Sequence, residues 1–455
     1  MANIKFINHS SILIQDNQNF ILTDPWYEKP AFGSWLPAPP CSIHPSYLVA
    51  LSKTVENFIL AISHGHDDHL DDSFLSLFPK KTKVLIPKYK SPGLISRLKR
   101  NNFTNIFQAD ESGIVLGGFV FKSYINPKIC PDDAIITIEG SENFIIHAND
   151  NWQKLEKEVL SKIIKDSKKY TPEEKLYMSQ CNIADGWPYI YRDYSESEKT
   201  LIHKNRVTNI IVNTLQNATM VDCKYFLNYA GHASIFVDGV PYLKKASSYV
   251  SNKTVKKIAN LAGSNIDILD MIPGDSFDFK KITNQFSGIF LEDSIIKEAS
   301  LDFYEKYEKY LKCDTFNKDR ESEKDNISKE KIDSFLLGFQ TFVAERVYKT
   351  DFNSDILDFK VIIKSDKVHS EIKIGPEGVV CDKSVTYYIS DNILQKLLSG
   401  NIVWENLYIG HQTEVQTFPL KTNIRAPVRW LASYGYVYQR NAKMLLRQQS
   451  KEIKI

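Results

Sequence analysis

Directly behind the apolar run NFILAIS (Asn57–Ser63), the chain reads His64-Gly65-His66-Asp67-Asp68-His69 and then passes into DDSFLSLF. The apolar run is a buried strand by its length and its Ile and Phe content. The Asp-led stretch behind it is a helix opening. His64 and His66 stand at i and i+2 of an extended segment, so both imidazoles point to one side and can reach one ion. Gly65 removes the side chain that would crowd that approach. Asp68 and His69 lie where the chain turns into the helix and can face the same cavity from a second side. The bland alternative is a solvated His/Asp turn. Three histidines and an aspartate at this spacing behind a buried strand favour the metal site. Neutral imidazole with carboxylate suits zinc, iron or manganese and not calcium. Asp67, Asp71 and Asp72 read as helix-start carboxylates only.

Around this joint the chain is ordinary. Its 455 residues exceed one typical domain. A hydrophobic share of 43% and a charged share of 25% allow a sizeable core. A net charge of +2 gives no electrostatic reason to bind nucleic acid or an anionic membrane. No apolar run reaches the length of a membrane span, and the start MANIKFINHSSILIQ lacks the pattern of a secretory leader. The six cysteines are scattered without C-x-x-C spacing, as expected of reduced thiols in a cytoplasmic protein.

The first part alternates short strands and turns: IKFIN, SILIQ, NFILTD, then a Pro- and Trp-rich loop, then NFILAIS. KTKVLIP, GIVLGGFVFKSYI and DAIITIEGSENFIIHAND continue as strands, and GLISRLKRNN is a short helix. From about Asn151 to Lys204 the character becomes helical and charged, including WQKLEKEVLSKIIKDSKKY and TPEEKLYMSQ. The aromatic loop NIADGWPYIYRDY in that stretch is core packing or a lid over a cavity. TNIIVNTL and KYFLNYAG return to strand, SNKTVKKIANLA is a helix, and IDILDMIPGD is a strand running into a turn. The expected division is a catalytic domain over 1–315 with a helical insertion at about 151–204, a charged linker at 316–331, and an α+β accessory domain over 332–455. In the last, VTYYISDNILQKLLSGNIVWENLYIG, with ENLYIG read as strand, faintly resembles a lipid-carrier-like module, which suggests substrate binding or dimerisation.

H-x-H-x-D-H behind a strand resembles the signature of the metallo-β-lactamase superfamily. INHSSILIQDNQNFILTDPW resembles that family's opening hairpin, and FIIHAND its later strand ending in a bridging carboxylate. The resemblance spans roughly residues 1 to 279 and implies an α/β fold: an αββα sandwich with a helical insertion, plus the smaller C-terminal α+β domain. It implies Asp24 and His9 as residues that orient ligands, and Asp150 as the bridging carboxylate. It departs from this chain in two places. The family's third metal motif should supply a histidine near Tyr124–Pro131, where YINPKICP has none, and its last motif is a histidine where DMIPGD offers Asp275. ILTDPW with AFGSWLPAPP, DDAIITIEGSENFIIHAND and NYAGHAS together resemble the catalytic part of the CMP-N-acetylneuraminate hydroxylases and their bacterial relatives, which are iron oxygenases fed by a Rieske domain. The chain has no C-x-H…C-x-x-H pair, so no Rieske domain is expected in it.

The expected metal ligands are therefore His64, His66, Asp68, His69, Asp150, Asp275 and His147. For His147, three residues before Asp150, facing the core and facing the site stand open. Asp68 and His232 are the expected catalytic residues. One or two irons serve an oxygenase or hydroxylase acting on a small biosynthetic substrate, a sugar nucleotide or an amide-bearing metabolite. Such an enzyme needs an electron-donor protein. Two zincs serve the alternative, a hydrolase of an ester, amide or phosphodiester. A non-catalytic scaffold is the third reading, and a homodimer stays open. His44, His203, His369 and His411 read as structural or surface histidines.

Overall fold

Each strand of the N-terminal half sends alternate side chains to opposite faces, and both faces are apolar. That pattern demands cover on both sides of a sheet. The computed structural model of the chain describes residues 2–27, 30–37, 43–126, 130–231, 233–235, 250–283, 327–346, 359–375, 381–422 and 425–452.

The chain order begins β1 (Asn3–Asn8), β2 (Ser11–Asp16), β3 (Asn19–Thr23), β4 (Trp35–Pro37), α1 (Pro45–Thr54), β5 (Asn57–Ala61), α2 (Asp72–Ser76), β6 (Lys83–Pro87), α3 (Gly93–Arg100) and β7 (Ile106–Ala109). Then follow β8 (Ile114–Leu116), β9 (Phe119–Asn126), β10 (Cys130–Glu139), β11 (Phe144–Asn149), α4 (Lys157–Ser167), β12 (Lys175–Gln180), α5 (Glu196–Met220), β13 (Tyr225–Tyr229), β14 (Ala233–Ile235), α6 (Asn252–Leu261), β15 (Asp267–Ile268), β16 (Ser276–Phe277) and β17 (Ile282–Thr283). Among the described residues, one sheet runs β17-β16-β1-β2-β3-β5-β6-β7 and a second runs β15-β13-β12-β11-β10-β9-β8.

Side-chain alternation builds the layers. Ile12 and Ile14 of β2, Ile59 of β5, Ile145 of β11, and Leu176 and Met178 of β12 share one core between the two sheets. Leu13, Phe58 and Leu60 point the other way and pack with Leu48, Phe74 and Leu98 of α1, α2 and α3. Phe144, Ile146 and Tyr177 pack on their outer side with Ile163, Ile211 and Val255 of α4, α5 and α6. The order of layers is helix, sheet, sheet, helix. The sheets are tied at one end by Ala230 N, which donates to His9 O at 2.8 Å.

Two stretches differ from the sequence reading. TPEEKLYMSQ, expected to be helical, is a short turn of helix at Pro172–Glu174 followed by β12. All six residues of β12 are buried, and it pairs in parallel with β11 and β13. The supposed helical insertion therefore carries a strand of the second sheet. Its Lys175 and Gln180 ends disguised a run whose Leu176 and Met178 face one core and Tyr177 the other. Conversely, TNIIVNTL is not a strand but lies within α5. Val207, Ile210, Ile211, Leu215 and Ala218 recur at helical spacing and form its buried stripe. The β-branched residues that suggested a strand are simply the core-facing side of a long helix.

By contact density the chain divides into two compact units, the first made of Met1–Ala31, Trp35–Ala184 and His203–Glu305, the second of Phe32–Ser34, Asp185–Ile202 and Lys306–Ile455. The second unit contains α7 (Lys329–Arg346), β18 (Phe359–Lys364), β19 (His369–Ile374), β20 (Ser384–Tyr388), α8 (Asp391–Leu398), α9 (Trp404–Tyr408), β21 (Glu414–Phe418) and α10 (Arg425–Glu452). Its sheet runs β19-β18-β20-β21. ENLYIG, expected as a strand, lies in α9 and the residues after it, with Trp404 and Leu407 buried. Ile190 and Tyr191 of the aromatic loop belong to this unit's core. Of the expected charged linker at 316–331, residues 316–326 lie outside the described residues.

Candidate metal centre

The strand ends that meet at one end of the sandwich bring together residues distant in sequence. β5 delivers Ser63 and the His64–His69 loop, the β1–β2 turn delivers His9, and the end of β3 delivers Asp24. β11 ends at Asn149 and Asp150, β10 carries Asp133, and β13 ends at Tyr229. Three of these positions hold a non-glycine residue at positive φ: His9 at 38°, Asp24 at 34° and Asn149 at 41°. Such backbone costs about 1–3 kcal/mol per residue and concentrates at functional sites.

Two groups of ligand atoms form there. His64, His66 and Asp150 offer atoms within 4.8 Å of one another, and so do His9, Asp68 and His69. His64 Nε2 lies 2.8 Å from His66 Nδ1 and 3.8 Å from Asp150 Oδ2. His9 Nε2 lies 3.2 Å from Asp68 Oδ2. His69 Nε2 lies 3.7 Å from Asp68 Oδ2 and 3.3 Å from Asp150 Oδ1, so Asp150 reaches both groups.

Asp24 organises the centre. Its Oδ2 is 2.8 Å from His69 Nδ1 and 2.9 Å from His147 Nε2. Ser63 donates to it through both N–H (2.7 Å, to Oδ1) and Oγ (2.8 Å, to Oδ2). Burial opposes its ionisation, but the His147 and His69 charges and hydrogen bonds outweigh burial and hold its pKa below the usual carboxylate range. Burial, then the neighbouring His69 and His66, push His64 well below an ordinary histidine and keep it neutral. Burial works against a charge on His69 too, but Asp150, Asp68 and Asp24 outweigh it and raise that histidine well above its usual value. Metal binding would displace that proton.

The site also contains residues the sequence reading did not single out. Asp133 Oδ1 lies 3.6 Å from His64 Nδ1. Burial, then the adjacent Asp150 charge, raise its carboxyl well above the usual range. It stands in the stretch DDAIITIE, whose paired aspartates were the available signal. Arg97 of α3 donates to Gly65 O at 2.6 Å and Leu70 O at 2.9 Å, clasping the histidine loop by its backbone. Asp67 and Asp72 pair with Arg97 at 3.2 and 3.0 Å, and Asp71 caps α2.

The remaining expected residues fall elsewhere. His9, read as orienting ligands, stands inside a ligand group. His147 is in neither group, because both of its ring nitrogens are engaged, by Asp24 and by the Tyr229 hydroxyl. Asp275 is in neither group among the described residues. Its Oδ2 accepts from Ile272 N at 3.0 Å in the turn before β16. His232 lies outside the described residues.

The donors fit a metal. His9 Nε2, His69 Nε2, Asp68 Oδ1 and Asp133 Oδ1 are buried polar atoms without a hydrogen-bond partner. Orphaned atoms of this kind are costly unless something satisfies them. Each group pairs two imidazoles with one carboxylate, a set that suits a transition metal.

With its helix–sheet–sheet–helix layers and this loop at the strand ends, the chain resembles the metallo-β-lactamase superfamily.

No family model matches the sequence. A curated protein of Mycolicibacterium smegmatis named as a Rieske 2Fe-2S iron-sulfur protein is 32% identical over 107 residues, 23% of this chain and 20% of that one. One of Mycobacterium tuberculosis with a Rieske name is 31% identical over the same length and the same shares. The chain thus matches about a fifth of the length of these relatives. These matches do not bear out the expectation that the chain has no Rieske domain, which rested on ligand spacing alone. Similar solved structures include Igni18, a metallo hydrolase from Ignicoccus hospitalis, with 14% identity, 61% of this chain, 99% of that one and a TM-score of 0.39. They also include an isothiocyanate hydrolase from Delia radicum gut bacteria (13%, 61% and 98%, TM-score 0.40) and CmlA, a diiron β-hydroxylase from Streptomyces venezuelae (13%, 59% and 52%, TM-score 0.39). No helix among the described residues is long and apolar enough to cross a membrane.

Proposed function

We propose that the chain is a metal-dependent enzyme acting on a small molecule, and specifically an iron oxygenase or hydroxylase. The observation that carries this reading is the composition of the two ligand groups, each with two histidines and one carboxylate. That set is the one non-haem iron uses when it must keep positions open for oxygen and substrate. His64, His66 and Asp150 would hold one ion, and His9, Asp68 and His69 another. Bound there, iron would supply the one-electron chemistry that activates oxygen.

The chain's own residues do the rest. Asp24 fixes His69 by its Nδ1 and, through Ser63 Oγ, which is 2.9 Å from His64 Nδ1, also fixes His64. Asp133 holds a proton beside Asp150, since burial and that neighbouring charge disfavour its ionised form. His66 is partly exposed and the Asp150 side chain is 17% exposed, whereas His9, Asp68 and His69 are buried. Substrate therefore approaches from the His66–Asp150 side. An oxygenase draws electrons from a donor, and the names of the curated relatives point to a Rieske-type iron–sulfur donor. The region over 1–315 is the catalytic part in this reading, and 332–455 an accessory domain for substrate binding or dimerisation.

A second reading, a dinuclear zinc hydrolase, is favoured by one observation: Asp150 faces both groups, at 3.8 and 3.3 Å, as a carboxylate shared by two ions would. Metal analysis with a visible absorption spectrum separates the two. Iron with a visible band supports the oxygenase. About two zincs per chain without iron, and turnover of a generic phosphodiester, support the hydrolase.

A further inference from the structure

Four fully buried residues form one hydrogen-bonded line into the centre: Tyr229, His147, Asp24 and His69. They come from the end of β13, from β11, from just behind β3 and from the histidine loop. Asn149 N donates to Tyr229 Oη at 3.0 Å. The Tyr229 hydroxyl meets His147 Nδ1. His147 Nε2 and His69 Nδ1 both face Asp24 Oδ2, at 2.9 and 2.8 Å.

With His147 and His69 each carrying one ring hydrogen, the state a metal-bound His69 requires, the hydrogens in this line have one assignment. A carboxylate only accepts, so both imidazole nitrogens at Asp24 Oδ2 carry hydrogens. A neutral His147 with its hydrogen on Nε2 presents a lone pair at Nδ1, and the Tyr229 O–H must donate to it. The Tyr229 oxygen is left to accept from Asn149 N–H, as observed. At the other end, once metal displaces the second ring proton of His69, the hydrogen on Nδ1 stays directed at Asp24 and the lone pair at Nε2 lies on the side of Asp68 and Asp150. The tautomer that a metal needs at His69 is thus fixed by Asp24, which His147, itself fixed by the Tyr229 hydroxyl, holds in place.

We propose that Tyr229 and His147 are positioning residues for the His9–Asp68–His69 metal position, acting through Asp24 on the tautomer and orientation of His69. The proposal rests on the metal-centre reading. It is selective. Ser63 still donates to Asp24 through two groups and still meets His64, so the His64–His66–Asp150 position keeps its support when Tyr229 is altered.

Cobalt titration of the metal-free full chain, followed by the visible absorption of bound Co²⁺, tests this. The wild-type protein takes up two equivalents. In Tyr229→Phe the first equivalent binds as in the wild type and the second binds at least about tenfold more weakly, the scale typical of lost outer partners of a ligand histidine. His147→Gln, whose carboxamide N–H can still donate to Asp24, keeps more of the second affinity than His147→Leu. An unchanged second equivalent in Tyr229→Phe, or equal weakening of both equivalents, overturns the selective role. A wild-type chain that takes up no cobalt overturns the metal reading itself, and the positioning role with it.

Discussion

Arg97 Nη1 donates to the carbonyl oxygen of Gly65 at 2.6 Å, from a helix 32 residues further along the chain. Arg97 Nη2 reaches Leu70 O at 2.9 Å and Asp67 at 3.2 Å, and Nε reaches Asp72 at 3.1 Å. One guanidinium thus holds both ends of the histidine loop. Arg97→Met should lower stability by about 2 kcal/mol, since it leaves part-buried carbonyls and paired carboxylates without a donor. It should weaken metal uptake as well. Arg97→Lys should recover little, because an ammonium cannot reproduce the fork. Urea unfolding and metal titration of both variants check this.

Asp133 is a buried carboxyl aimed at His64 with one oxygen unpartnered. In the metal-free protein burial and the Asp150 charge keep it protonated, so Asp133→Asn replaces one neutral group by another and should leave stability unchanged or slightly raised. With metal present the same change should weaken binding, since an amide offers a poorer donor. A variant that binds metal as the wild type does would remove Asp133 from the centre. The paired readout is thermal melting with and without metal.

His411 belongs to the second unit and is buried, with Nε2 3.3 Å from Asp185 O. Burial pushes its pKa down from 6.5 to about 4. Between those values the unfolded chain takes up a proton that the folded chain refuses. Stability therefore falls as pH falls through that window, by on the order of 3 kcal/mol in full. His411→Asn suits the left-handed backbone there, with φ at 55°, and should flatten this slope. Urea midpoints between pH 7 and pH 4 measure it.

What could be read from the sequence follows from where the information sits. His64, His66, Asp68 and His69 are legible because four donors lie within six residues, and strand geometry aims them. Asp150 was singled out as a strand-terminal carboxylate, and the fold sets it beside His64 and His69. Arg97, Asp133 and Tyr229 were not, because each becomes meaningful only when α3, β10 or β13 is laid beside the loop. The contact of His9 was hidden for the same reason: nothing in IKFINHSS says that its imidazole meets Asp68. The layers were legible as alternating apolar faces. The two exchanged elements, β12 and the TNIIVNTL part of α5, were not, since burial on both faces of β12 and the one-sided stripe of α5 are set by tertiary packing.

The central claim is that His64, His66 and Asp150, with His9, Asp68 and His69, hold metal for oxidative chemistry. The most direct test is the metal content and visible spectrum of the full chain purified without chelator, beside His64→Ala and His69→Ala. The account predicts iron, a visible absorption band, and loss of both in the two variants. Wild-type protein without iron, or variants that keep the wild-type metal content, would contradict it.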